Sequence, residues 1–136
     1  MPNLQIVPAV NQIELHPGNP SPNLVKYCES KGIHCTGYSP LGSSDSPLYK
    51  NDTLAKLAES KGKTVQQVLL QWGVSKGWSV LPKSVTEERI KANFDLDGWS
   101  LTEEEIAQID KIDTAFKVCD DEWLPVKVFF GAGDSD

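Results

Sequence analysis

The apolar positions change period several times along the chain. Val7 to Leu15 is an apolar run interrupted by Asn11, Gln12 and Glu14. It predicts a buried strand ending at His16-Pro17-Gly18, with polar members that must meet polar partners. Leu24, Val25 and Cys28 then fall at helical spacing, with Ser21-Pro22 as N-cap and first helical position and Gly32 as the stop. Ile33 to Gly37 predicts a second strand that delivers Tyr38-Ser39-Pro40-Leu41-Gly42 at its C-terminal end. Ser43 to Lys50, rich in Ser, Pro and Asp, reads as a loop. Leu54, Leu57 and Ala58 mark a short helix over Thr53 to Lys61. Val65, Val68, Leu69 and Trp72 follow the i, i+3, i+4, i+7 pattern of an amphipathic helix. Thr64 with Gln67 forms a capping box before it and Gly77 ends it. Trp78 to Leu81 is the third strand. A helix opening near Thr86 follows, and then a last one marked by Ile106 and Ile109 behind the Thr102/Glu105 capping box.

Strands alternating with helices predict an α/β domain with a parallel sheet. Parallel strands need cover on both faces, and three strands make a small sheet. Closed barrels of this class take about 250 residues, so a chain of 136 reads as part of something larger. There are no internal repeats or low-complexity tracts.

Composition narrows the chemistry. Hydrophobic residues at 39% and charged ones at 24% are ordinary for a globular domain. A formal charge of −6 argues against nucleic acid as a partner, and no apolar run approaches the ~20 residues of a membrane span. Met1 to Val10 has neither a basic region nor an apolar core of a secretory signal. Cys28, Cys35 and Cys119 are odd in number without C-x-x-C spacing, which suits a reducing, cytoplasmic setting. His16 and His34 form no metal-binding pair, and no metal site is expected. Glu103, Glu104 and Glu105 answer the positive end of the last helix.

The candidate chemistry lies in Val80-Leu81-Pro82-Lys83-Ser84-Val85-Thr86-Glu87-Glu88-Arg89-Ile90-Lys91-Ala92-Asn93. A strand end, a Lys-Ser pair and the start of a helix bring a cation, a hydroxyl and free N–H groups together, the makings of a phosphate site. Positions 86, 89 and 93 fall within about 60° of one another on a helix. Ile90 and Phe94 form a neighbouring apolar stripe suited to facing a barrel. Spacing alone equally allows a solvated helix capped by Ser84 or Thr86, with Glu87 and Glu88 offsetting the positive charge. Periodicity alone likewise makes Tyr38 a core aromatic and leaves Asn11 between internal satisfaction and ligand contact. His16 reads as structural.

Four segments together resemble the aldo-keto reductase family. Val10-Asn11-Gln12-Ile13-Glu14-Leu15-His16-Pro17 resembles its sixth barrel strand and Gly37-Tyr38-Ser39-Pro40-Leu41-Gly42 the end of its seventh. Pro82-Lys83-Ser84-Val85 resembles the end of the eighth, and Arg89 with Asn93 the adenosine-contacting face of the next helix. They occur in order over roughly residues 7 to 113, closest in feel to fungal aldehyde, glycerol and xylose-type reductases. The resemblance implies about the last three β/α units of a (β/α)8 TIM barrel in residues 1–113. An irregular, substrate-loop-like tail would follow in 114–136, where Trp123, Pro125, Phe129 and Phe130 either line a pocket or seal an edge.

It also implies NADPH or NADP as cofactor. Gln12 would bond the nicotinamide carboxamide and Tyr38 would stack on its ring. Ser39, Leu41 and Ser43 would line the pyrophosphate path, and Lys83 and Ser84 would hold the 2′-phosphate. Arg89 would lie near the adenosine and Asn93 on the adenine edge. Ala92 departs from the family, where Glu or Gln often helps hold the adenosine, and Gly18 stands where an aromatic is common.

Carbonyl reduction needs an acid for the forming alkoxide. The family's Asp, Tyr, Lys and His for this come from early strands, and none of Tyr27, Tyr38 and Tyr49 matches the family's acid. No catalytic residue is therefore assigned. Three readings stand: part of a reductase acting on a small aldehyde, ketone or polyol; a nucleotide-binding module without chemistry; and a fragment that self-associates through open strand edges.

Overall fold

The computed structural model describes residues 6–119. The aromatic and proline positions of the tail, Trp123 to Phe130, lie outside the described residues. Strand β1 (Val10–Glu14), helix α1 (Pro22–Ser30) and strand β2 (His34–Tyr38) come first. A 3₁₀ turn (Pro47–Lys50) precedes α2 (Asp52–Lys61) and α3 (Val65–Ser75). Strand β3 (Ser79–Leu81), α4 (Glu87–Phe94) and α5 (Glu103–Asp110) complete the order. The sheet runs β1-β2-β3 with both pairings parallel, as the alternation predicts.

Register decides which side chains share a face. Gln12 lies beside Thr36 and Thr36 beside Ser79, while Glu14 lies beside Tyr38 and Tyr38 beside Leu81. Because side chains alternate along a strand, these residues share one face, and Asn11, Ile13, Cys35, Gly37 and Val80 share the other. The second face is packed by helices. Asn11 Nδ2 donates to Cys28 Sγ of α1 at 3.4 Å, which places Asn11 in the structural layer. Gly73 lets α3 close onto β3, since a Cβ there would stand 2.7 Å from Val80 Cγ1. Leu15, Cys28, Ile33, Cys35, Leu69, Trp72 and Trp78 form the core of this side, and Trp72 meets Trp78 edge to face. The first face stays largely open: Val10 is 52% and Leu81 46% exposed, and Gln12 is exposed beside them.

Both capping boxes form, Thr64 with Gln67 and Thr102 with Glu105. Two local expectations fail. Ser21, held between Pro20 and Pro22, takes a left-handed backbone (φ 42) and makes no side-chain cap, because that conformation carries its oxygen away from the first helical amides. Ser43 to Lys50 is not all loop: Ser46 caps the 3₁₀ turn, and Asn51 Oδ1 then caps α2 from Thr53 and Leu54. A third expectation fails at α4. Ile90 and Phe94 are exposed, Phe94 by 85%, because α4 packs against α3 and no sheet face lies beneath its apolar stripe.

Candidate functional site

Two loops leave the C-terminal ends of the adjacent strands β2 and β3, the end where parallel α/β sheets collect ligands. The first is wound tightly. Gly42 N donates to Ser39 O at 2.9 Å, and Ser39 (φ 49), Gly42 (φ 70) and Ser43 (φ 72) all sit in the left-handed region. For the two serines that conformation costs about 1–3 kcal/mol each, strain of the kind that collects at ligand sites. The second loop runs from Pro82 through Lys83 and Ser84 to α4. Ser84 Oγ accepts the Thr86 amide at 3.1 Å, forming a turn that sets the entry to the helix.

Between these loops and α4 lies a cleft of about 820 Å³. Ser39, Leu41, Ser43, Lys83, Ser84, Arg89 and Asn93 all border it, so seven of the nine residues singled out from sequence converge there. Thr86 and Ala92 border it too, as helical spacing requires. Its charge is positive on one side. Glu87 turns away to Lys91 (2.6 Å), so it does not neutralise the cleft, and among the described residues no carboxylate pairs with Lys83 or Arg89. The first turn of α4 has no side-chain cap and ends on the same cleft. Cations, hydroxyls and a helix N-terminus around one cavity make an anion-binding set.

Sequence reasoning missed Tyr49, Gln66 and Val118 in the lining. Tyr49 donates to Ser43 O at 3.0 Å, bracing the first loop. Burial raises its phenol and the charge of Arg89 across the cleft partly opposes this. The Ser46-Pro47 cap that positions Tyr49 was the available signal.

Gln12 and Tyr38 are not in the cleft lining; they lie on the open sheet face beside it. Over their C-terminal end passes residues 114–119, without helix or strand. Phe116 stacks on His16 with ring centroids 4.4 Å apart, and its amide donates to Gly18 O at 3.1 Å. A Cβ at Gly18 would stand 2.4 Å from the Phe116 ring, so the aromatic absent at position 18 is supplied from further along the chain. Glu14, almost fully buried, accepts the amides of Val118 (2.6 Å) and Cys119 (2.9 Å) and contacts His16 Nε2 at 2.9 Å. Tyr38 is half-buried beneath Cys119. Burial, then Cys119 and Glu14, push its phenol up to about 12. Among the described residues no group of three His, Cys, Asp or Glu is placed to hold a metal.

A parallel α/β sheet with cations, hydroxyls and a helix N-terminus gathered at its strand ends is an α/β scaffold whose cleft suits an anion. Comparison with known proteins places it further. The model of the aldo/keto reductase family matches residues 3–114, and the chain belongs to that family. It is 50% identical over 96 residues to a D-galacturonate reductase of Hypocrea jecorina, covering 71% of this chain and 31% of that protein. It is 39% identical over 126 residues to the glycerol 2-dehydrogenase (NADP(+)) of Saccharomyces cerevisiae, covering 92% and 40%. A crystal structure of a Bombyx mori aldo-keto reductase in complex with NADP superposes with a TM-score of 0.81 at 36% identity, covering 90% of this chain and 43% of that one. The chain thus spans between about a third and just over two fifths of the length of these relatives.

Proposed function

We propose that this chain is the NADP(H)-binding side of an NADPH-dependent aldo-keto reductase. Residues 1–113 would be about the last three β/α units of its barrel and 114–136 a substrate-loop-like tail. The observation that carries the reading is the convergence of Lys83, Ser84, Arg89 and Asn93 with Ser39, Leu41 and Ser43 on one positive cleft. The donor set fits the cofactor. Lys83 and Ser84 suit the 2′-phosphate, Arg89 the adenosine beside it, Asn93 the adenine edge, and the Ser39–Ser43 loop the pyrophosphate. Gln12 and Tyr38, sharing the open sheet face, suit the nicotinamide end. Bound NADPH supplies a hydride; these side chains bind and orient it.

The proton is a different matter. A catalytic tyrosine needs a lowered pKa, whereas Tyr38 is pushed up to about 12 and burial raises Tyr49. The described residues therefore support cofactor binding, and reduction of a small aldehyde or ketone, or the reverse with a polyol, belongs to the complete barrel. Three free cysteines support a reducing, cytoplasmic setting.

Titration of NADPH against the chain, followed by nicotinamide fluorescence, tests this. Lys83→Ala and Arg89→Ala each remove a charged partner of phosphate, and each is expected to weaken binding about ten-fold or more. No saturable binding by the unsubstituted chain sinks the reading. Val10 and Leu81 are exposed on β1 and β3, the two edge strands, which favours a second one: an interaction module that self-associates through those open edges and the face between them.

A further inference from the structure

Glu14 does not line the anion cleft, yet it holds the segment 114–119, whose Val118 does. Three N–H groups point into one buried carboxylate. His16 Nδ1 accepts the Gly18 amide at 3.2 Å, so the ring proton sits on Nε2 and is donated to Glu14 Oε1. The Val118 amide reaches the same oxygen and the Cys119 amide reaches Oε2. Charge-assisted bonds of this kind are about twice as strong as neutral ones, and leaving their donors buried without an acceptor is costly. Here they fix a stretch of chain more than a hundred residues away in sequence. Val118, so held, is part of the cleft wall, and Cys119 lies against Tyr38.

We propose that Glu14 is a positioning residue for the nicotinamide end of the cofactor: it latches residues 116–119 across the strand ends, so that Val118 closes the cleft beside Tyr38. This rests on the cofactor reading above. The Glu14 carboxylate is bonded to His16, Val118 and Cys119 and not to Lys83, Ser84 or Arg89, which line the adenosine end of the same cleft. Loosening it should change how the chain holds NADPH and leave recognition of the 2′-phosphate alone.

Two measurements on the full chain decide it, using Glu14→Gln, which leaves one acceptor oxygen where two stand. Hydrogen exchange should show the Val118 and Cys119 amides protected in the parent chain and exchanging about ten-fold faster or more in the variant. Unchanged exchange overturns the latch. Affinities should then be compared for NADPH and for adenosine 2′,5′-bisphosphate, which carries the adenosine end without the nicotinamide. The expected result is about a ten-fold loss for NADPH and no change for the bisphosphate. Equal loss for both ligands marks a general folding role and overturns the positioning role, as does an NADPH affinity that is unchanged or tighter. If neither ligand binds the parent chain, the cofactor reading fails and the positioning role with it, whatever exchange shows at Val118.

Discussion

At the scale of single residues, the register puts Gln12 and Tyr38 on one face and Asn11 on the other, which settles for Asn11 a choice that periodicity left open. Periodicity is a local signal. It could not reveal what Glu14 holds, because two of its partners lie 104 and 105 residues away and only folding brings them near. Burial alone would raise the Glu14 carboxyl. The bonds from His16, Val118 and Cys119 outweigh that and hold it below its ordinary value of 4.5. Its stabilising contribution is therefore complete above that ordinary value and disappears as pH falls through the lowered, folded one. Chemical denaturation at about pH 6 should show Glu14→Gln less stable than the parent, and the gap should narrow toward about pH 3. A gap that widens on acidification would contradict this sign. Gly42 gives a second residue-scale prediction. At φ 70 with a Cβ that would meet Ser46 Oγ at 2.5 Å, Gly42→Ala should lower stability by about 1–3 kcal/mol in a urea melt.

At the scale of elements, local chemistry was legible wherever the signal was self-contained. The Thr64/Gln67 and Thr102/Glu105 boxes are each closed by side chain and backbone within four residues, so no tertiary context was needed. Thr64→Ala should cost about 1 kcal/mol, read as a fall in the thermal midpoint, because it removes the acceptor for the Gln67 amide. Ser21 failed because its backbone is left-handed (φ 42), a conformation its residue type does not show. The stripe of α4 failed for a different reason. Helical periodicity identifies an apolar face but not the surface it meets, and here Ile90 is half-exposed and Phe94 almost fully so. Phe94→Ser should then leave stability within about 0.5 kcal/mol of the parent, measured by the same melt. A loss of several kcal/mol would mean that Phe94 is covered in solution.

For the molecule as a whole, the two faces of the sheet are in opposite states. One is packed by α1 and α3 over a continuous apolar core, while the other presents Val10, Gln12 and Leu81, and, among the described residues, 114–119 cross it at the strand ends. Parallel sheets are stable when both faces are covered, so this surface has a driving force to meet another. The charge of −6 opposes contact between identical copies, and salt screens that repulsion within about 10 Å at 0.1 M while leaving apolar attraction in place. Association of the chain should therefore strengthen, not weaken, as salt is raised. Sedimentation equilibrium should show a mean mass climbing above that of one chain with both concentration and salt. Val10→Lys, which sets a cation on the edge strand of the exposed face, should shift the equilibrium back toward one chain. Adding NADPH separates the two functional readings in the same experiment. The cleft lies at the strand ends and the apolar contact on the sheet face, so a cofactor site unconnected with association leaves the mass unchanged as it fills. Dissociation on saturation would instead mean that Gln12 and Tyr38, which share the open face, cannot serve the cofactor and a second copy at once.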